Sequence, residues 1–335
     1  MKIKVSKSFE ITKKSRPYII AEIGSNHNGD MRLCKKIIDS AKKAGVDCVK
    51  FQYFNEKTVF SKKTYEDNYF VADDYRNRND YNLKDIVKKY SISINELKKM
   101  QKYCKSINLD FLVTPFSFKE SDEIEKLGVE SFKIASMDLN NYAFLEHVAK
   151  KNKTVILSTG LSSLSEIDKA VRTIENTGNK KLILLHCTSI YPLKSKDVNL
   201  KRIETLKKLY PYPIGFSDHS PGFEIALASV ALGVCLIEKH FTLDKKMSGW
   251  DHHMSTDSTD MSNLVMSSKK VFLALGSNRI LRVENRERVN SFRRSIVASR
   301  NIKKGEKFKK NNLNFKRPGT GLPPEKINDI VGKVA

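Results

Sequence analysis

Two histidines, His219 and His240, each stand at the end of a short apolar run, Ile214-Gly215-Phe216-Ser217-Asp218-His219 and Leu236-Ile237-Glu238-Lys239-His240. Neutral imidazoles suit Mn2+, Fe2+, Co2+ or Zn2+. Two protein ligands leave positions for water and substrate, as a Lewis-acid site requires. The alternative is a pair of hydrogen-bonded core histidines. His252 and His253 compete as ligands, but adjacent side chains on one loop are harder to aim at one ion. Glu22 lies in another apolar run, where a carboxylate must be hydrogen-bonded or charge-paired. It is either an acid–base or orienting group, or one half of a salt bridge in the core. Lys50 and Lys133 end two further runs. Like charges do not gather in a core without an anion to neutralise them, so an anion is expected between these two. Thr114, Ser136, Ser158 and Ser217 add hydroxyl donors at the ends of other runs. Two ammonium groups with converging hydroxyls describe a site for a phosphate and a carboxylate. The Ser158-Thr159-Gly160 turn precedes a helix starting near Ser163, which is either an anion seat or ordinary β–α turn chemistry.

The runs that carry these residues recur eight times, at 18–23, 47–52, 109–114, 130–135, 154–158, 181–187, 212–217 and 234–240. They are short and rich in Val, Ile, Leu and Phe, as strands buried on both faces are. Amphipathic stretches alternate with them at 31–44, 94–107, 119–127, 141–151, 164–176, 198–208, 221–233 and 261–276, the first capped by Asp30 and ended by Gly45. Strict β–α alternation implies parallel strands. Eight units predict an α/β fold, a (β/α)8 TIM barrel over 1–276, whose active sites lie at the strand C-termini. No GxGxxG follows the first strand, which argues against a dinucleotide-binding sheet. Residues 1–16 read as a hairpin capping one end. The insertion 53–93 is expected to be a substrate lid. A charged linker is expected over 277–291, then a small mostly-β domain over 292–335. So short a module buries little core by itself, so it should dock on its own barrel or on a partner subunit.

The chain has 335 residues, five cysteines and a formal net charge of +23. None of Cys34, Cys48, Cys104, Cys187 and Cys235 forms a CxxC pair, which points to reduced thiols and a cytoplasmic protein. The N-terminus lacks the apolar stretch of a secretory signal, and no apolar run is long enough to span a bilayer. The lysines are dispersed rather than clustered with arginine and aromatic residues, so the charge reads as a solvated surface that attracts small anions, not as a nucleic-acid interface.

In sequence order, the motifs Ile20-Ala21-Glu22-Ile23-Gly24, Asn26-His27-Asn28-Gly29, Val49-Lys50-Phe51-Gln52, Thr114-Pro115-Phe116, Lys133-Ile134-Ala135-Ser136, Ser158-Thr159-Gly160, Phe216-Ser217-Asp218-His219 and Ile237-Glu238-Lys239-His240-Phe241 resemble the sialic acid synthase family. The tail resembles its antifreeze-like SAF domain through Arg293-Arg294-Ser295, Ile302-Lys303-Lys304-Gly305-Glu306 and Arg317-Pro318-Gly319-Thr320-Gly321-Leu322. The resemblance implies condensation of phosphoenolpyruvate with an open-chain N-acylated hexose. That sugar is N-acetylmannosamine or a 2,4-diacetamido-2,4,6-trideoxyhexose, and the products are a nonulosonic acid and phosphate, released by C–O cleavage. It implies a divalent metal on His219 and His240, most commonly Mn2+, with Mg2+ or Co2+ as alternatives. It implies phosphoenolpyruvate on Lys50, Thr114, Lys133, Ser136, Ser158, Ser189 and Ser217, and Glu22 orienting the sugar or managing a proton. The sugar would meet Gln52, Phe116, Tyr191, Asp251, Phe292 and Arg317, and the enzyme would be a domain-swapped homodimer. Ser189 replaces an Asn frequent in the family, and Trp250 a Pro usual before Asp251; both departures bear on substrate contacts. Another phosphoenolpyruvate-dependent synthase acting on a phosphorylated sugar is the alternative enzyme reading.

Overall fold

The computed structural model describes residues 2–68, 82–191 and 193–335. The chain divides into two compact units, Met1–Gly276 and Ser277–Ala335. In the first, a two-residue hairpin pair, β1 (Ile3–Lys4) and β2 (Glu10–Ile11), precedes eight longer strands. These are β3 (Tyr18–Gly24), β4 (Cys48–Tyr53), β5 (Asp110–Pro115), β6 (Ser131–Ile134), β7 (Thr154–Ser158), β8 (Leu182–Cys187), β9 (Ile214–Asp218) and β10 (Leu236–His240). They form one parallel sheet in the order β5-β4-β3-β10-β9-β8-β7-β6, and β5 and β6 lie side by side at its seam. This is the predicted TIM-like barrel, with strand ends within two residues of those read from the apolar runs.

Side chains alternate across each strand, and the alternation sorts this barrel into two cores. Ile19, Val49, Val113, Val155, Phe216 and Ile237 face outward and pack against the helices. Ile20, Leu112, Ile156, Ile183 and Leu236 face inward and fill the barrel. Ile3, Val5 and Ile11 of the hairpin join that inner layer and plug the N-terminal end. Two residues further along, four of these columns give way to Glu22, Thr114, Ser158 and Glu238, all buried, while that of Ile183 stays apolar at Leu185. A packed barrel interior has such layers; here only the top one is polar.

The helices hold the strand ends at a fixed height. Asp30 caps Met31–Ala44 by accepting from the Arg32 N–H at 2.7 Å, and Gly45 ends it at φ +85°. The predicted 198–208 helix is Lys201–Leu209, preceded by a separate turn at Ser195–Val198, and the last helix runs Ser258–Leu275. In the insertion, helices Lys62–Glu66 and Leu83–Tyr90 flank 69–81, which lie outside the described residues together with that part of the predicted lid. Phe54, Leu83, Val87 and Tyr90 form an apolar cluster of their own, with Phe116 and Trp250 packed on it.

In the second unit the helix Arg286–Phe292, capped by Asn285, occupies the second half of the predicted linker. Its run of charges conceals any apolar periodicity. An antiparallel pair follows, β11 (Ser295–Ala298) and β12 (Leu313–Lys316). Among the described residues no helix is long and apolar enough to cross a membrane.

Candidate active site

The inward residues at the C-terminal strand ends form one buried polar ring. Lys50 Nζ lies 2.8 Å from Glu22 Oε2 and 3.7 Å from Glu238 Oε1, and donates to Thr114 Oγ1 at 3.2 Å. Lys133 Nζ stands 3.6 Å from Glu238, and its one hydrogen bond among the described residues is to the carbonyl of Ile134 at 3.4 Å. The two lysines are therefore balanced by two glutamates of the chain itself, which corrects the expectation that an anion must neutralise them. Ser217 Oγ donates to Glu238 Oε1 at 3.1 Å, and Gln52 Nε2 to Glu22 Oε1 at 2.9 Å. Glu22 is thus the salt-bridge partner that the sequence allowed, with its second oxygen held by Gln52.

Burial pushes the Glu22 carboxyl above its ordinary value, Lys50 offsetting this only in part. Burial acts on Glu238 in the same sense, but Lys133 and Lys50 outweigh it and hold that carboxyl low. Burial also lowers the Lys133 ammonium, the more loosely held of the two cations. Ser158 Oγ, Glu238 Oε2, Thr188 Oγ1 and His240 Nδ1 are buried and have no hydrogen-bond partner among the described residues. Buried polar atoms are otherwise almost always paired, so this cluster is shaped to receive polar ligands.

His219 and His240 face each other with ring centroids 5.5 Å apart. His219 Nδ1 donates to the Thr188 carbonyl at 3.0 Å, which leaves its Nε2 lone pair free. Burial holds His240 neutral, its pKa well below the usual value, helped by His219 and the lysines. At His219 burial disfavours the charged form, but Cys187 and the Thr188 carbonyl outweigh it and raise the pKa; with that proton released, two imidazoles on adjacent strands fit a divalent ion. Among the described residues no group of three or more His, Cys, Asp or Glu completes such a site, so water and substrate would supply the rest. Tyr191 packs on His219 at 4.4 Å between centroids, and Asp251 Oδ2 lies 3.6 Å from His240 Nδ1. His252 is not a competing ligand: it is buried, with Nδ1 bonded to Thr242 Oγ1 at 2.6 Å.

Gly160 shapes the neighbouring wall. Its N–H donates to Ser136 Oγ at 3.1 Å, and a Cβ there would lie 2.5 Å from Ser189 Oγ and 2.8 Å from Ser136 Oγ. The end of the following helix is not the anion seat, because Ser163 and Glu166 already close it in a capping box. Gly160→Ala should displace both serines and raise KM for an anionic substrate roughly 10–100-fold, the worth of one hydrogen bond to a charged group. An unchanged KM in steady-state kinetics would remove Gly160 and its serines from the site.

Asn26 ties the loop after β3 to the loop after β10 through Phe241 O and Ser255 Oγ, both at 2.9 Å. His27 and His252 are buried in these same loops, where burial lowers both pKa values to about 4. A histidine held neutral in the folded state keeps its full contribution above about pH 6.5 and loses it as pH falls toward 4. Each contributes at most about 3 kcal/mol. Melting temperature should therefore drop steeply between pH 6.5 and 4, and His252→Gln should flatten that limb. An equally steep limb in the variant would assign the loss to other groups.

Phe292 and Arg317 belong to the second unit, where the Arg317 guanidinium lies 4.9 Å from the Phe292 ring centroid. Two buried members of the ring, Glu238 and Cys187, were missed as site residues. Cys187 Sγ lies 4.0 Å from His219 Nδ1. Strand alternation signals Glu238, which stands two residues before His240 on the same face.

The NeuB family model matches residues 37–279 and the SAF domain model residues 293–335. The chain is 40% identical over 321 residues to the N,N'-diacetyllegionaminic acid synthase of Campylobacter jejuni, covering 95% of each. It is 33% identical to that organism's pseudaminic acid synthase, covering 95% of this chain and 92% of the other. The crystal structure of the N-acetylneuraminic acid synthetase of Leptospira borgpetersenii, in complex with citrate, superposes with a TM-score of 0.75. It has 34% identity and covers 84% of this chain and 92% of that one.

Proposed function

Because this chain belongs to the NeuB family, we propose that it condenses phosphoenolpyruvate with the open-chain aldehyde of an N-acylated hexose, giving a nonulosonic acid and phosphate. The observation that carries this reading is the buried ring of half-satisfied polar groups, with Lys133, Ser158 and Glu238 around one space. Lys133, Ser136, Ser158, Ser189 and the Gly160 turn hold the phosphate and carboxylate. Lys50, fixed by Glu22 and Thr114, sets the depth of the enol. Gln52 and Asp251 orient the sugar so that its aldehyde carbon faces C3. Glu22, already pushed toward protonation by burial, exchanges the proton of the new hydroxyl. C3 of the enol attacks the aldehyde, water adds at C2, and the tetrahedral intermediate releases phosphate through C–O cleavage.

The charge balance argues for a metal. The lysines and glutamates already cancel, yet a phosphate ester brings roughly −2 and a carboxylate adds to it. A divalent ion on His219 and His240, Mn2+ with Mg2+ or Co2+ as alternatives, would offset that charge and polarise the aldehyde. A domain-swapped homodimer is part of the same reading. It is supported by apolar side chains left exposed beside the ring: Met137 59%, Leu161 73% and Ile190 52% exposed.

The test is to incubate the protein with phosphoenolpyruvate, Mn2+ and each candidate sugar, reading phosphate release and product mass. Activity only with a phosphorylated sugar would decide for the other synthase reading.

A further inference from the structure

Resting on that function, we propose that Glu238 holds the water that adds at C2 of phosphoenolpyruvate. The sheet order sets β6 directly opposite β10 across the closed barrel. Glu238 Oε1, carried by β10, is nevertheless 3.6 Å from Lys133 of β6 and 3.7 Å from Lys50 of β4. Its carboxylate therefore stands near the barrel axis, between the two ammonium groups. An anion held by both lysines must lie against it.

That placement works against binding, since phosphate and carboxylate groups repel Glu238. What it offers is an acceptor. Oε1 accepts from Ser217 at 3.1 Å, while Oε2 is buried and has no hydrogen-bond partner among the described residues. Ionised phosphoenolpyruvate has only acceptors to present to Oε2. The sugar brings donors, but its aldehyde belongs at the imidazoles. His240 stands on the same inward column, two residues or about 7 Å nearer the mouth. The remaining donor of the reaction is the water. With one O–H given to Oε2, its lone pair is free to face the enol above. The same carboxylate stabilises the positive character that grows at C2 as C3 attacks.

The step balances without a proton on Glu238. The enol pair forms the bond from C3 to the aldehyde carbon, and the carbonyl pair moves to the oxygen that becomes the new hydroxyl. The water oxygen bonds to C2. One of its protons ends on the new hydroxyl by way of Glu22. The other leaves with the phosphate, which takes the electron pair of the broken C–O bond.

The test compares Glu238→Gln and Glu238→Asp with the wild type, using Mn2+ and the sugar that gives most product. In Glu238→Gln, kcat should fall about 10²–10³-fold. Phosphoenolpyruvate affinity, read by titration calorimetry without sugar, should stay the same or tighten, because a negative charge has left the side of an anion. Glu238→Asp keeps the charge but withdraws the acceptor by one methylene, so kcat should still fall about tenfold or more. In both variants the solvent deuterium isotope effect on kcat should rise, as hydration becomes the slow step. Wild-type kcat in either variant, an unaltered isotope effect, or phosphoenolpyruvate binding lost in step with kcat would overturn the proposal and leave Glu238 a counter-charge for the lysines. No phosphate release by the wild type with any sugar would instead overturn the synthase reading, and the held water with it.

Discussion

His240→Ala should lower kcat/KM for phosphate release about 10³-fold or more, since polarising a carbonyl is worth several kcal/mol and each 1.36 kcal/mol is tenfold. The melting temperature should shift little by comparison. His240 Nδ1 has no hydrogen-bond partner to lose among the described residues, and its ring faces the mouth, not the helix-packed core. His219→Ala should have the same catalytic effect with a larger stability loss, because it also frees the Thr188 carbonyl. Titration calorimetry with Mn2+ separates binding from turnover: both variants should lose the high-affinity event. Wild-type turnover in both variants after chelation would sink the metal reading and leave the ring of lysines and serines to explain catalysis.

The second large effect lies directly behind these histidines. Lys239 Nζ meets Asp218 Oδ2 at 2.7 Å and the Ser220 carbonyl at 2.6 Å, with both ionic side chains at most 1% exposed. The other oxygen of Asp218 accepts from Ser220 N–H and Oγ–H. This pair joins β9 to β10 on the face opposite the imidazoles, one residue before each of them. Lys239→Met should destabilise the fold by about 3–5 kcal/mol, because it strands a buried carboxylate. That corresponds to a fall on the order of 10 °C in melting temperature. Adding Asp218→Asn removes the stranded charge but keeps an acceptor for Ser220, so the double variant should melt above the single one. Calorimetric melts check the order. If the double variant is no more stable than Lys239→Met alone, the loss comes from packing and not from the unpaired charge.

The barrel was legible because each strand is buried on two faces, which leaves a run of apolar residues with no competing explanation. Helix ends were legible where a cap such as Asp30 or Ser163 marked them. The helix Arg286–Phe292 was not, because surface charge masks periodicity in a segment with little apolar surface to bury. In the site, the histidines and lysines stood out as chemistry at strand ends. Their neutralisation did not, since it depends on Glu238 facing inward between Lys50 and Lys133, a relation across three strands. The same limit hid the fate of His252, whose partners Thr242 and Asn28 are set by how two loops cross. The apolar cluster in the insertion joins residues 54, 90, 116 and 250, and no local pattern connects them.

The hairpin that plugs the barrel has a consequence for how the chain folds. Its bonds reach across the β5–β6 seam: Ser8 to Asp110 on β5, the Val5 carbonyl to Ser131 on β6, and the Lys4 carbonyl to Thr154 on β7. These contacts span 102, 126 and 150 residues. Contacts so distant in sequence form slowly, because loop-closure entropy must be overcome first. During synthesis the hairpin emerges before the strands it bonds to and must wait for all three before it can settle. A segment made early is thus placed late, and its docking staples together the two strands that meet at the seam.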